Sequence, residues 1–346
     1  MKTALLDYVL PEHAIAVRPL PERDAARLLV VGDGGFEHRA VRELAELVPD
    51  NALLVLNDTR VRHARVLAQR RPGGGKVELL LLKPLGVEAD GERWQALGRA
   101  NKPLRPGTEL EAPGLSARVV TNGELLEVSL TAEGGVEAWL ERSGHVPIPP
   151  YLGRLDEAAD RERYQTVFAA NLGSVAAPTA GLHLSEALLG RLRERGVRIA
   201  TLTLAVGLGT FRPVEVDDLD AHPMHSEALD VPPALVSAVA EARARGGPVV
   251  AVGTTVVRAL ETAADPAKLG QVRPFLGLTN LLIQPGYAFR VVDALFTNFH
   301  QPKSTLLALV SAFTGHERLL AAYALAVREG YRFLSYGDAM WLPRRV

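Results

Sequence analysis

Eleven consecutive residues, Gly173-Ser174-Val175-Ala176-Ala177-Pro178-Thr179-Ala180-Gly181-Leu182-His183, gather two hydroxyls, an imidazole, two glycines and a proline. Small side chains let a ligand approach the backbone closely, and glycine tolerates angles that a side chain forbids. Ser185 follows as an N-cap, and leucines at 188, 189 and 192 predict a helix over 186–195. The open N–H groups of its first turn would face whatever His183 faces, which suits an anion or an electron-rich ligand edge. A tight buried crossover with a satisfied histidine reads equally from the same residues. A second helix start, Gly253-Thr254-Thr255, places hydroxyls and N–H groups together as a phosphate or carboxylate cradle, but lacks the lysine of a Walker loop.

Between Asp58 and Glu78 lie Arg60, Arg62, Arg65, Arg70, Arg71 and Lys76 with no acidic residue among them, and His63 adds a further contact. On one strand, alternating arginines make a single charged face, a footprint for phosphates; a solvated strand face has the same pattern. Arg99, Lys102 and Arg105 form a looser second cluster. His222-Pro223-Met224-His225-Ser226-Glu227 offers two imidazoles and a carboxylate, yet Pro223 opposes a helix and no third-ligand spacing is evident. No metal is assigned on that basis. Arg258 and Glu261, three residues apart, fit a surface pair. Asn298-Phe299-His300 and Ser335-Tyr336-Gly337-Asp338-Ala339 are further polar islands beside apolar runs. Buried polar groups need partners, so these islands would be satisfied together if they converged in one cleft.

The elements that must position these groups fall into two textures. Residues 1–20 read as an extended lead-in. Strands at 28–31 and around Phe36 flank a Gly32-Asp33-Gly34-Gly35 turn, a short helix covers 41–47, and 52–56 is a buried strand running into Asn57-Asp58-Thr59-Arg60. From Val61 the pattern becomes short strands at 61–67, 77–82, 94–97, 115–120 and 125–130, separated by glycine-rich turns. A helical turn at 136–141 and the rigid Val146-Pro147-Ile148-Pro149-Pro150 exit close it. After that come helices at 160–169, 186–195, 234–244, 304–313 and 317–329, and strands at 199–206, 249–252 and 278–283. The chain is therefore expected to be α/β: a large mixed-sheet domain, 1–64 with 151–346, interrupted by a small all-β barrel insertion at 65–150.

Composition bounds the rest. The 346 residues are 47% hydrophobic and 23% charged, an ordinary globular balance, and the formal net charge of -1 excludes a uniformly basic nucleic-acid coat. Cysteine is absent, which removes disulfides, thiol nucleophiles and thiolate metal sites. Asp7 comes too early for a signal-peptide core and no apolar run reaches membrane-spanning length, so a cytoplasmic location is expected.

Several of these stretches occur together, and in order, in one known family. Leu56-Asn57-Asp58-Thr59-Arg60-Val61, Gly74-Gly75-Lys76-Val77-Glu78, Tyr164-Gln165-Thr166-Val167-Phe168-Ala169 and the 173–183 segment lead. Gly207-Leu208-Gly209-Thr210-Phe211-Arg212-Pro213-Val214, the 222–227 run, Ala251-Val252-Gly253-Thr254-Thr255, Thr297-Asn298-Phe299-His300 and the closing 331–340 follow. Through these the sequence closely resembles the S-adenosylmethionine:tRNA ribosyltransferase-isomerases of queuosine biosynthesis, nearly end to end. It departs at Ala205, where the family usually has histidine, at Leu184 for phenylalanine, and at Gln301 for leucine. Ala205 argues against an indispensable base at that position.

The resemblance implies a two-domain enzyme with no tightly bound cofactor, which consumes S-adenosylmethionine as a ribosyl donor. The acceptor is 7-aminomethyl-7-deazaguanine at the wobble position of tRNAs with a G-U-N anticodon (Tyr, His, Asn, Asp), giving epoxyqueuosine with release of adenine and methionine. A monomer without an obligate protein partner or membrane contact is expected. Such chemistry needs a base near C5′, neutralisation of charge on departing adenine, and an unprotonated aminomethyl group. Asp58, His183, His225 and His300 are the candidate catalytic groups. Arg60, Thr179, Thr254, Thr255, Arg258 and Asp338 are candidates for substrate binding, and Arg62, Arg65, Arg70, Arg71 and Lys76 for the tRNA backbone. A metal-dependent RNA-acting hydrolase built on His222, His225 and Glu227, or a non-catalytic tRNA-binding module, are the competing classes.

Overall fold

Three short runs, Leu53–Asn57, Val249–Val252 and Ala294–Asn298, are buried at every position. A strand without a polar face must be covered on both sides, which is the condition of a parallel sheet between helices. The computed structural model, which describes residues 1–207 and 214–344, has this arrangement. Nine strands form one mixed sheet in the order Phe275–Thr279, Glu227–Val231, Arg198–Leu204, Leu53–Asn57, Val249–Val252, Ala294–Asn298, Ala339–Pro343, Arg27–Gly32, Gly35–Ala40. The four from Arg198–Leu204 to Ala294–Asn298 run parallel, and antiparallel partners close both flanks.

Successive residues of the central strands enter opposite cores, as the two-residue period of a strand requires. Leu53, Val55, Val249 and Ala251 pack with Val239, Leu260, Leu309 and Ala322, whose helices are Pro233–Ala244, Thr254–Thr262, Thr305–Thr314 and His316–Arg328. Leu54, Leu56, Val250 and Val252 pack instead with Leu44 and with Leu188, Leu189 and Leu192 of helix Glu186–Glu194. Fully burying a leucine of this kind contributes about 2 kcal/mol, so each central strand is fixed from both faces.

The second texture closes into a barrel of six antiparallel strands, ordered Leu126–Ala132, Gly91–Ala100, Lys76–Glu88, Arg65–Arg71, Glu109–Ala112, Leu115–Thr121. Closure removes the exposed edges that short antiparallel strands otherwise present. Val66, Leu79, Leu81, Trp94, Val119 and Val128 fill it. Helix Val136–Ser143 packs on this core through Trp139, whose indole N–H donates to the Pro113 carbonyl at 2.9 Å. No helix among the described residues is long and apolar enough to cross a membrane.

Several local expectations are corrected. The lead-in coils into short 3-10 turns at Thr3–Leu6 and Glu12–Ala14. The alternation over 61–67 is not one strand: it divides into Thr59–Val61 and Arg65–Arg71, because the chain turns between them through an Ala64 N–H to Arg62 carbonyl bond of 2.7 Å. Helix 160–169 shrinks to Asp160–Arg163; beyond it the Gln165 amide pairs with both the N–H and the carbonyl of Val61, and the chain bends into a turn closed by the Ala169 N–H on the Thr166 carbonyl. The strand placed at 278–283 lies at Phe275–Thr279 and ends where the Thr279 hydroxyl accepts the Leu281 N–H. Strands Glu109–Ala112, Glu227–Val231 and Ala294–Asn298 carried too little contrast to be read.

Candidate active site

Polar residues beyond the carboxyl ends of parallel strands are where open α/β sheets bind ligands. Here a cleft opens beyond Val249–Val252 and Ala294–Asn298. Its walls include Thr179 and Ala180 of the small-residue stretch, Gly253, Thr254 and Thr255, Thr297 to Gln301, and Leu334 with Ser335. Four stretches distant in sequence thus meet in one place.

Each is held by identifiable contacts. Phe299 anchors the 297–301 loop by packing into the Tyr323, Tyr331 and Phe333 cluster, its ring 4.8 Å from that of Phe333. The His300 N–H donates to the Tyr323 hydroxyl at 2.8 Å, and its carbonyl accepts from the Tyr8 hydroxyl at 2.5 Å. This leaves the imidazole in the cleft, with Nε2 3.0 Å from the Thr297 hydroxyl. Burial pushes His300 down to about 3. At neutral pH it is uncharged.

His183 lies in the 3-10 turn Thr179–His183, behind the cleft and not in its wall. The Asn298 amide nitrogen donates to its Nε2 at 2.9 Å and also to the Leu334 carbonyl. Burial, with Arg332 and Arg23 adding like charge, pushes His183 down to about 4. His183 therefore reaches the cleft through Asn298, a residue that sequence reading singled out within a polar island and a family stretch. Of the two helix starts singled out in the sequence, the one at Thr254 opens on the cleft. Ser185 caps Glu186–Glu194 by accepting the Leu188 N–H, and donates to Asp24. The start of Thr254–Thr262 has Gly253 as an uncapped N-cap.

Other candidates are placed elsewhere. Asp58 is not in the cleft wall; its Oδ1 accepts from the Thr203 hydroxyl at 2.6 Å and the Asn171 amide at 3.1 Å, fastening the end of the central strand. Asp338 is buried with its oxygens on the Arg27 and Arg332 N–H groups, and works as a tie between strand and loop. Arg258 makes no surface pair with Glu261. It is buried against Glu227, while Glu261 accepts the N–H groups of Arg290, Val291 and Val292. His222 and His225 line a neighbouring pocket with that ion pair, which shares Leu306 with the main cleft. Glu227 is also taken up by the Gly207 N–H at 3.1 Å, and no group of three metal-ligating side chains occurs among the described residues.

The arginine run likewise does not form one free face. Arg60 pairs with Glu141, Arg62 with Glu137, Arg65 with Glu78 and Arg71 with Glu111, while Arg70 donates to the Lys102 and Pro103 carbonyls. Arg60 and Arg62 thereby join the sheet side of the molecule to helix Val136–Ser143. Lys76 is exposed at the start of its strand.

A family model described as a queuosine biosynthesis protein matches residues 3–342. The S-adenosylmethionine:tRNA ribosyltransferase-isomerase of Sorangium cellulosum is 56% identical over 366 aligned positions, covering 98% of both chains. That of Anaeromyxobacter dehalogenans strain 2CP-C is 53% identical over the whole of both. The chain belongs to this family. It is an enzyme, and the crystal structure of the S-adenosylmethionine tRNA ribosyltransferase from Thermotoga maritima, 34% identical, superposes over 97% of it with a TM-score of 0.54. Of the departures from the family pattern, Gln301 lies in the cleft wall, Leu184 is fully buried, and Ala205 bonds through its N–H to the Ala228 carbonyl. Of the family segment 207–214, residues 208–213 lie outside the described residues.

The two neutral imidazoles make a stability prediction. Both have folded pKa values below the ordinary 6.5, so unfolding takes up protons as pH falls below 6.5. Their stabilisation is complete above that value and is lost progressively towards pH 4 and 3. Between pH 7 and 5 the pair should cost about 4 kcal/mol, visible as a lower urea midpoint. A midpoint constant over that range would show that the rings titrate in the fold as they do in the unfolded chain.

Proposed function

We propose that the chain transfers and isomerises the ribosyl group of S-adenosylmethionine onto 7-aminomethyl-7-deazaguanine at the wobble position of G-U-N tRNAs. The products are epoxyqueuosine-tRNA, adenine and methionine. The observation that carries this reading is the convergence of separated family stretches, 177–180, 253–255, 297–301 and 334–335, on one cleft. Family membership supports the reaction class, and the cleft supplies a place for it.

His300 is the group we assign to proton transfer in the cleft. Uncharged at neutral pH, it starts as a proton acceptor and not as an acid, and we assign it removal of the C5′ proton made acidic by the sulfonium. Asn298 holds His183 as its support. The imidazolium that His300 becomes on taking the C5′ proton then returns it to the departing adenine, whose developing charge hydrogen-bond donors of the wall also stabilise. The acceptor amine, once unprotonated, attacks C5′, and a ribose oxygen closes the epoxide as methionine leaves. S-Adenosylmethionine is consumed, so no resident cofactor is required. The division at 64/65 and 150/151, action as a monomer and a cytoplasmic site complete the reading.

The deciding experiment is nucleoside mass spectrometry after incubation with S-adenosylmethionine and tRNA carrying the aminomethyl base. Epoxyqueuosine appearing with equal adenine and methionine supports the reading; unchanged base with bound tRNA favours the RNA-binding module. For the RNA, Arg70→Ala and Lys76→Ala are each expected to weaken binding alike for all cognate tRNAs and to reduce the salt slope by about one. An unchanged slope would remove that side chain from the interface.

A further inference from the structure

In the cleft wall, two buried polar atoms have no partner: the hydroxyl of Thr255 and the carbonyl oxygen of Asn298. Thr255 is 8% exposed and Asn298 2%. Such atoms are costly unless something meets them. The Asn298 amide cannot swing away, because its nitrogen is fixed on His183 and on the Leu334 carbonyl. Its oxygen therefore stands as a committed acceptor awaiting an N–H donor.

Opposite in character is the first turn of helix Thr254–Thr262. The N–H groups of Thr254 and Thr255 have no intrahelical acceptor, and the N-cap is Gly253, which has no side chain to offer them. Gly253 sits at φ 91°, a conformation other residues adopt only with strain. Its own N–H is spent on the Phe296 carbonyl. The turn thus presents donors, an adjacent hydroxyl and the positive end of a helix dipole to the same cleft. Val206, Phe299 and Leu306 make the surroundings apolar, where a charge-assisted hydrogen bond is strong.

An anion on one side and a cationic N–H donor on the other describe a zwitterionic α-amino acid. Resting on the function proposed above, we infer that this corner holds the methionine end of S-adenosylmethionine. The carboxylate lies on the Thr254 and Thr255 N–H groups and the Thr255 hydroxyl, and the ammonium donates to the Asn298 oxygen. Adenine also offers a donor and an acceptor, but carries no charge for the helix end to stabilise. Anchoring the amino-acid end here leaves the sulfonium and C5′ beside His300, which shares the wall.

The test is isothermal titration of the full-length protein with two halves of the substrate, L-methionine and 5′-methylthioadenosine, and with 3-methylthiopropylamine as methionine without its carboxylate. The wild type should bind methionine at least tenfold more tightly than the amine. Thr255→Val should weaken methionine about tenfold and leave 5′-methylthioadenosine within twofold, with Thr255→Ser restoring methionine. Asn298→Ala should weaken methionine likewise, and retained binding of 5′-methylthioadenosine certifies its fold. Loss of 5′-methylthioadenosine with methionine unaffected would put the nucleoside in this corner and overturn the inference. So would indifference of both ligands to Thr255→Val, or a wild type that ignores methionine. If the wild type binds both halves and never modifies tRNA, the proposed reaction fails while this assignment stands.

Discussion

Arg258→Ala is expected to destabilise the enzyme by about 3–5 kcal/mol, enough to consume a large part of a domain's net stability. The Arg258 and Glu227 side chains are 8% and 6% exposed, and one guanidinium nitrogen of Arg258 bonds the carboxylate directly. Its Nε also donates to the Leu281 carbonyl at 3.0 Å, tying helix Thr254–Thr262 to the segment after strand Phe275–Thr279. Among the described residues, truncation leaves the buried Glu227 carboxylate with the Gly207 N–H alone, and an isolated buried charge is the expensive case. Replacing both partners, Arg258→Met with Glu227→Leu, should recover most of the loss, because the pair's desolvation then disappears with its attraction. Urea unfolding of the four proteins measures the coupling. A single mutant within 1 kcal/mol of the wild type would mean that the pair is solvated.

His300→Gln is expected to lower the turnover number by about a hundredfold or more, the scale of losing a positioned proton acceptor. Glutamine is of similar length and can keep the bond to Thr297, and the Phe299 packing and the Tyr8 and Tyr323 bonds involve other atoms, so folding should persist. Because the wild-type ring is neutral well above its value of about 3, its ionisation should not shape the rate profile between pH 5 and 8. Single-turnover formation of epoxyqueuosine, with the melting temperature as control, is the measurement. Turnover within threefold of the wild type would remove His300 from the chemistry and leave it as a buried support of the loop.

The architecture was legible in the chain because it rests on local signals. Glycine-bounded short strands after Val61 and strand–helix alternation after Pro150 separate the barrel from the sheet, and Ser185 with its leucines marks helix Glu186–Glu194. The ordered family stretches carried the enzyme class as well. What the sequence left open were pairings between residues far apart. Arg258 and Glu261, three apart, read as partners, yet their charges are satisfied 31 and 30 residues away. The arginines from 60 to 71 read as free until strands and a helix brought Glu78, Glu111, Glu137 and Glu141 against them. His183 and His300 read alike as imidazoles; burial in the fold keeps both neutral, and packing sets one behind the cleft on Asn298 and the other in it on the Phe299 loop. Residue type and local spacing therefore determined which elements form and which chemistry is available. Which groups meet, and with what charge, was decided by tertiary packing, because desolvation and hydrogen bonding depend on neighbours that no local pattern encodes.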